Sequence, residues 1–312
     1  MIIWVDYDYS QIMKKIINID SPCRLSTTNR QLNIYMLESS EEHCVPIEDI
    51  SLLLISHPTA SITLQTMKVM AEEGVGVSFC ASNYQPISLC LPLEGHTLHS
   101  KRIQLQIDAS EPMKKRAWQL TVSAKVNNQA GTLAHLKKNN LAVRRYACEV
   151  LSNDKDNVEA KAARTYWKEL FSGQFKRDRE GNWPNQPLNY LYAVVRSVVC
   201  RSIVGSGLVP SLGFHHSNQY NAFCLADDLI EPFRPIADEW VLLMKQNIDC
   251  AADEETGNLS ASTRKYLQDL LKSRIYVQKK KYEVSTAVDI CVDSYVRYLE
   301  RKSKTLIFPT WQ

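Results

Sequence analysis

The run ISLLLIS (50–56) is apolar at almost every position and carries no charge. A strand with one wet face alternates polar and apolar residues, whereas an unbroken run of this length is consistent with a strand covered on both faces. Around it, KKIINI (14–19), CRLST (23–27) and LNIYML (32–37) are short β-rich runs separated by turn residues, with Asn29 and Arg30 placed where a hairpin would turn. VGVSFC (75–80) and ISLCLPL (87–93) read as further strands. Thr59 or Ser61 is placed to cap a helix ending at Glu73, with Gly74 as its stop, so a small βαβ-like insert is expected inside the sheet region. Gly74 and Gly76 do not make a Walker loop or a dinucleotide fingerprint, which argues against nucleotide-fuelled chemistry.

Beyond Glu94, Gly95 and His96, which read as a linker, the period changes to helical. Ser110 is placed as an N-cap with Pro112 in the first turn, and Met113 to Asn127, Leu141 to Leu151, Glu159 to Phe171, Leu188 to Ile203 and Ile236 to Ile248 read as helices. Asp249 to Asn258 reads as an acidic loop, Ser260 or Ser262 as a helix start, and Ser285 to Arg301 as a last helix, so the final third is expected to be helical. The fold class expected is α+β: an N-terminal β-sheet domain over 1–95 followed by a larger all-α domain over 96–312. A length of 312 residues suits two domains, and 45% hydrophobic residues suits a globular chain. Nine scattered cysteines without C-x-x-C spacing read as reduced thiols in a cytoplasmic protein, and neither a secretory signal nor a membrane span is recognisable.

The stretch LVPSLGFHHSNQYNAFCLADDLIEPFRP (208–235) concentrates the chemistry. Pro210 and Gly213 break the backbone before His215 and His216, placing the histidines in a loop or at a helix start. Helical spacing puts Asp227 and Glu231, or Asp228 and Glu231, on one face, where like charges repel. Arg234 or a divalent metal could compensate. An imidazole with one or two carboxylates suits Mg²⁺ or Mn²⁺, and the ordinary alternative is a surface pair. Upstream, Glu159, Ala163, Tyr166 and Leu170 share one helical stripe, and small neighbours leave room for an ion beside Glu159. The ordinary reading of Glu159 is a surface acid near a helix N-terminus.

Together these segments resemble the CRISPR-associated integrase family, the catalytic subunit of the spacer-acquisition complex. The resemblance rests on E-x-x-x-A-R-x-Y (Glu159, Ala163, Arg164, Tyr166), G-F-x-H (Gly213, Phe214, His216) and D-L-I-E-P-F-R-P from Asp228 to Pro235, in the family's order. The spacing from His216 to Glu231 is that of the branch accompanying the single-protein RNA-guided effector nuclease. The resemblance implies that Glu159, His216 and Glu231 bind one Mg²⁺ or Mn²⁺ and catalyse transesterification at a DNA phosphate, with Asp227 and Asp228 as further candidates around the ion. Several relatives carry aspartate where this chain has Glu231. His215 is then a neighbour, not a ligand. The resemblance further implies a homodimer formed through the β-sheet domain, double-stranded DNA as substrate, and a small ferredoxin-like partner subunit.

A net charge of only +3 means that any DNA surface must come from clustering. Lys101, Arg102, Arg164, Lys176, Arg177 and Arg234 are candidate phosphate contacts, and Tyr220 could stack on a base. Arg179 in the polar loop 173–187 and Lys279 to Lys281 are further basic candidates, whose ordinary reading is a solvated surface. The apolar tail LIFPTWQ must dock, either closing the helical domain or holding a partner. Three other readings stay open from sequence: a general metal-dependent nuclease on branched DNA, a non-catalytic DNA-binding scaffold, and a two-carboxylate glycosidase. The glycosidase would need Glu159 and Glu231 about 5–10 Å apart around a sugar cleft.

Overall fold

A computed structural model of the chain describes residues 14–81, 86–93, 96–171, 175–178, 181 and 183–311. Arg179, Glu94 and Gly95 lie outside the described residues.

The first portion holds β1 (Lys15–Ile19), β2 (Cys23–Thr28), β3 (Gln31–Met36), β4 (Glu42–Pro46), β5 (Ile50–Ile55), β6 (Ser61–Ile62), α1 (Leu64–Glu72), β7 (Gly76–Cys80) and β8 (Pro86–Cys90). They form two four-stranded sheets, ordered β4-β3-β2-β6 and β1-β5-β7-β8. The β2–β3 hairpin turns at Asn29 and Arg30, both at positive φ, as a tight two-residue turn requires. The β1-β5-β7 strands are parallel, and α1 crosses between β5 and β7, which is the expected βαβ insert. Its cap is Thr63, whose side chain accepts from the Thr66 N–H, not Thr59 or Ser61. Ser61 is instead drawn into β6 against β2.

β5 is buried along its whole length, Ser51 included, as its uncharged and largely apolar run predicts. Its side chains divide between two cores: Ile50, Leu53 and Ile55 pack inside the sheet portion, while Leu52 and Leu54 join the helical core. The long helix over 185–205 covers the second face.

The remainder is mostly helical: α2 (His99–Ile107), α3 (Glu111–His135), α4 (Leu141–Glu149), α5 (Val158–Phe171), α6 (Asn185–Gly205), α7 (Cys224–Ile230), α8 (Arg234–Asn247), α9 (Ala251–Thr256), α10 (Ala261–Asp269) and α11 (Val284–Leu299). Two expectations are corrected. The final third is not all helix, because β9 (Arg274–Val277) and β10 (Lys280–Glu283) form an antiparallel hairpin. Ile275 and Val277 are buried on one face, so apolar alternation outweighs the lysine run, which supplies the turn and the exposed strand. The acidic segment is not all loop either, since α9 forms within it and ends at Gly257 in the left-handed region.

The tail closes the helical portion. Thr310 donates its N–H to the Tyr276 carbonyl at 2.8 Å, and Trp311 Nε1 donates to Thr132 Oγ1 at 3.1 Å. Gly131 on α3 permits this, because a Cβ there would meet the Trp311 ring at 2.2 Å. Asn128, one turn earlier, donates to the carbonyls of Pro309 at 2.9 Å and Pro232 at 2.7 Å, tying the tail to the turn that carries Glu231.

Candidate active site

α5 starts at a fixed point. Asp154, nearly buried, accepts the backbone N–H of Val158 at 2.8 Å and of Glu159 at 3.0 Å. Satisfying these end donors sets Glu159 in the first turn, with its side chain directed at α3. There Lys125 donates to Glu159 Oε1 at 2.6 Å. The same ammonium lies 2.5 Å from Glu231 Oε2. Two carboxylates 72 positions apart in the chain therefore converge on one lysine (231 − 159). Arg234 Nε lies 2.8 Å from Glu231 Oε1, and its guanidinium covers the Tyr192 ring at 4.6 Å.

Burial alone would raise the Glu231 carboxyl, but Arg234 and then Lys125 outweigh it and hold the group at about 2. Burial likewise opposes the Lys125 charge, yet Glu231 and then Glu159 outweigh it and raise the ammonium. The pair is therefore ionised at neutral pH.

His216 is held by a different acid. Asp228, fully buried on α7, accepts the backbone N–H of Phe214 at 2.7 Å, of His215 at 3.0 Å and of His216 at 3.1 Å. Its Oδ1 also meets His216 Nδ1 at 2.6 Å. One carboxylate thus organises the whole loop and leaves His216 Nε2 as the nitrogen able to take another ligand. Gly213 is required here, since a Cβ would meet the His216 carbonyl at 2.5 Å and Asp228 Oδ2 at 2.8 Å. The Asp228 hydrogen bond raises the His216 pKa against a smaller opposing effect of burial, with Glu231 adding to the rise from nearby. His215 stacks on Trp118 with ring centres 3.8 Å apart, and its burial lowers its pKa.

Among the described residues, no three His, Cys, Asp or Glu side chains are disposed to hold a metal ion as they stand. The space between Glu159 and Glu231 is taken by Lys125. The donor chemistry nevertheless suits a hard divalent ion: two carboxylates joined at one cation, and an imidazole oriented through its other nitrogen.

The remaining sequence candidates separate into two groups. Arg164 is exposed on α5, Lys101 and Lys176 are exposed, and Tyr220 is 88% exposed. Arg102, Arg177 and Arg234 are engaged within the protein. Arg102 donates to the Ser206 carbonyl at 2.8 Å; Arg177 donates to Asn185 at 2.9 Å and to Asn189 at 2.6 Å; Arg234 clamps Glu231. Asp227 accepts from Asn221 at 2.7 Å and faces Arg196 at 3.7 Å, while Asp228 serves the histidine loop. Lys125 and Trp118 escape a reading of the sequence, because nothing about a lone lysine or tryptophan on a long helix marks it out.

Behind the ion pairs, Asp238 accepts the hydroxyls of Tyr166, at 2.9 Å, and Tyr192. Burial raises its carboxyl to about 7, tempered by those two hydrogen bonds. A folded acid that holds its proton more tightly than the unfolded chain contributes stability that is full below about 4 and is lost as pH rises through about 7. Asp238→Asn is expected to flatten that part of the stability profile, read as melting temperature across pH 4 to 7. An unchanged slope would show that Asp238 is not the titrating group.

Residues 17–272 match the family model for CRISPR associated protein Cas1. A CRISPR-associated endonuclease Cas1 of Neisseria meningitidis serogroup C (strain 8013) is 34% identical over 290 residues, covering 92% of this chain and 92% of that protein. A protein of the same name from Korarchaeum cryptofilum (strain OPF8) is 21% identical over 327 residues, covering 92% and 96%. Among solved structures, a Cas1 protein from Thermotoga maritima superposes with a TM-score of 0.76 at 16% identity, covering 94% of this chain and 99% of that one. A casposase bound to an integration product superposes at 0.74 and 21% identity, covering 94% and 92%.

Proposed function

The chain belongs to the Cas1 family, and we propose that it is a metal-dependent DNA integrase and endonuclease, joining the 3′-hydroxyl of short DNA fragments to a CRISPR repeat array. The observation that carries the reading is the convergence of Glu159 and Glu231 beside a histidine locked by Asp228. Glu159, Glu231 and His216 Nε2 would hold Mg²⁺ or Mn²⁺. When bound, the ion supplies polarisation of the scissile phosphoryl oxygen and stabilises its developing charge.

The residues of the chain do the rest. Asp228 keeps the imidazole in one orientation, and Asp154 keeps Glu159 at the helix start. Arg164, exposed on the same helix as Glu159, is placed to meet a backbone phosphate. In the joining reaction the incoming 3′-oxygen forms a bond to phosphorus as the repeat strand's own 3′-oxygen leaves with a proton. Phosphodiester bonds are exchanged without an energy source. Water in place of the hydroxyl gives hydrolysis, which is the activity named for the curated relatives.

The substrate would be double-stranded DNA, in a pathway of antiviral defence within the cytoplasm. The working unit would be a homodimer built through the β-sheet portion (1–95) and joined to a small ferredoxin-like subunit, with 96–312 as the catalytic portion. A solved Cas6-RT-Cas1–Cas2 complex also superposes on this chain, which supports a partner subunit. No helix among the described residues is long and apolar enough to cross a membrane.

The test is purified protein with labelled fragment and repeat DNA in Mn²⁺. Joined strands support integration, cut strands alone leave the nuclease on branched DNA, and neither product with intact binding points to a DNA-binding scaffold.

A further inference from the structure

We infer that Lys125 is a resident counter-ion that a divalent cation must displace, and that Gln129 is the berth to which its ammonium withdraws. This rests on the divalent-ion reading above and adds a step that precedes any reaction.

Lys125 lies 2.6 Å from Glu159 and 2.5 Å from Glu231, so it fills the gap a shared ion would need. An ion can enter only if the ammonium leaves. The ammonium is hydrogen-bonded to Glu159 and in contact with Glu231, but it sits at the end of a flexible four-carbon stem that can turn it away when a stronger cation competes for the carboxylates. It also has room to move: a cavity of about 200 Å³ opens beside it, walled in part by Gln129, Trp167, Tyr192 and Asp238, with Arg177 and Arg234 also on its wall.

Gln129 follows Lys125 by one helical turn on α3, which sets the two side chains on the same face. It is only 3% exposed, and its Oε1 is buried without a hydrogen-bond partner. A buried unpaired acceptor is costly, and an ammonium swinging in from the preceding turn would relieve it. Asp238, the acid on the same wall, already accepts one tyrosine hydroxyl at each oxygen, whereas Gln129 Oε1 has no partner at all.

The swing changes the charge of the site. Lys125 and Arg234 balance Glu159 and Glu231 before an ion enters. Afterwards, with the lysine still nearby, the site carries an excess of positive charge. A DNA phosphate offsets that excess, so ion and DNA should each tighten the binding of the other.

The test is Mn²⁺ binding to the full chain without DNA, followed by the electron-paramagnetic signal of the free ion. If the ammonium occupies the carboxylates about nine-tenths of the time, Lys125→Met should tighten Mn²⁺ binding about tenfold, because the competitor is gone. Gln129→Leu should weaken it several-fold, because the displaced ammonium has nowhere to go. Equal or weaker binding by Lys125→Met would overturn the displacement, and unchanged binding by Gln129→Leu would overturn the berth. Circular dichroism in chelator reports whether Lys125→Met still folds; if it does not, Gln129→Leu decides alone, since it leaves the ion pairs intact. Wild-type protein that takes up no Mn²⁺ would bring down the divalent-ion reading itself, a result seen before any variant is compared.

Discussion

His216→Ala is expected to lower DNA strand joining by about a thousandfold or more while leaving the fold nearly as stable as before. The two halves of the expectation have separate causes. The imidazole side chain is 41% exposed and gives up one hydrogen bond, to Asp228. Asp228 keeps its three backbone donors, so the structural loss is about 1 kcal/mol. The chemical loss is larger, because the change removes the imidazole nitrogen that Asp228 leaves open for the ion. Glu159→Ala should act alike on joining. A joining assay on gels, paired with thermal melting, separates the effects; retained joining by His216→Ala would refute its role as a ligand.

Asp228→Ala should be the most damaging single change to the fold at the site, costing about 3–5 kcal/mol. The side chain is fully buried and accepts from Phe214, His215, His216 and the His216 ring. Removing it strands three main-chain donors at once, and each buried donor without an acceptor costs about 1–3 kcal/mol. Some of the loop will reach water, which keeps the total below a simple sum. Joining should fall with it, since His216 is no longer aimed. Asp228→Asn retains the shape and one acceptor oxygen, and should lie between. Urea titration measures the loss; a midpoint for Asp228→Ala equal to that of wild type would mean the loop is held by other contacts.

The parts of this molecule legible in its sequence are those set by neighbours in the chain. The strands at 15–19, 23–28, 31–36 and 50–55 follow from β-rich composition and turn residues, and α5, α8 and α11 from apolar spacing. Ser110 and Ser260 both stand as N-caps where sequence places them, although only Ser260 accepts a hydrogen bond through its side chain. The β9–β10 hairpin is hidden by its own turn, because three consecutive lysines obscure the short alternation of Ile275 and Val277. α2 lies past the expected linker at Glu94, Gly95 and His96, in a stretch where no individual helix is legible before Ser110, since its sole buried residue is the polar Gln106.

At the site, local pattern identifies the acids and the histidine but not what they touch. Asp227 and Asp228 are adjacent in sequence and alike in chemistry, yet one faces Asn221 and Arg196 while the other organises a loop. Helix rotation decides which is which. Lys125 and Gln129 enter through the packing of α3 against α5 and the turn before α8, a tertiary relation with no local signature. Arg177 and Arg102 look like free cations in sequence because the amides and carbonyls that hold them lie elsewhere in the chain.

The strand Ile50–Ile55 carries a mechanical consequence. With Leu52 and Leu54 embedded among the helices and Leu53 and Ile55 embedded among the strands, pulling it free would open both interiors together. A molecule built this way transmits load across that strand like a rivet through two plates, so any large motion must bend elsewhere.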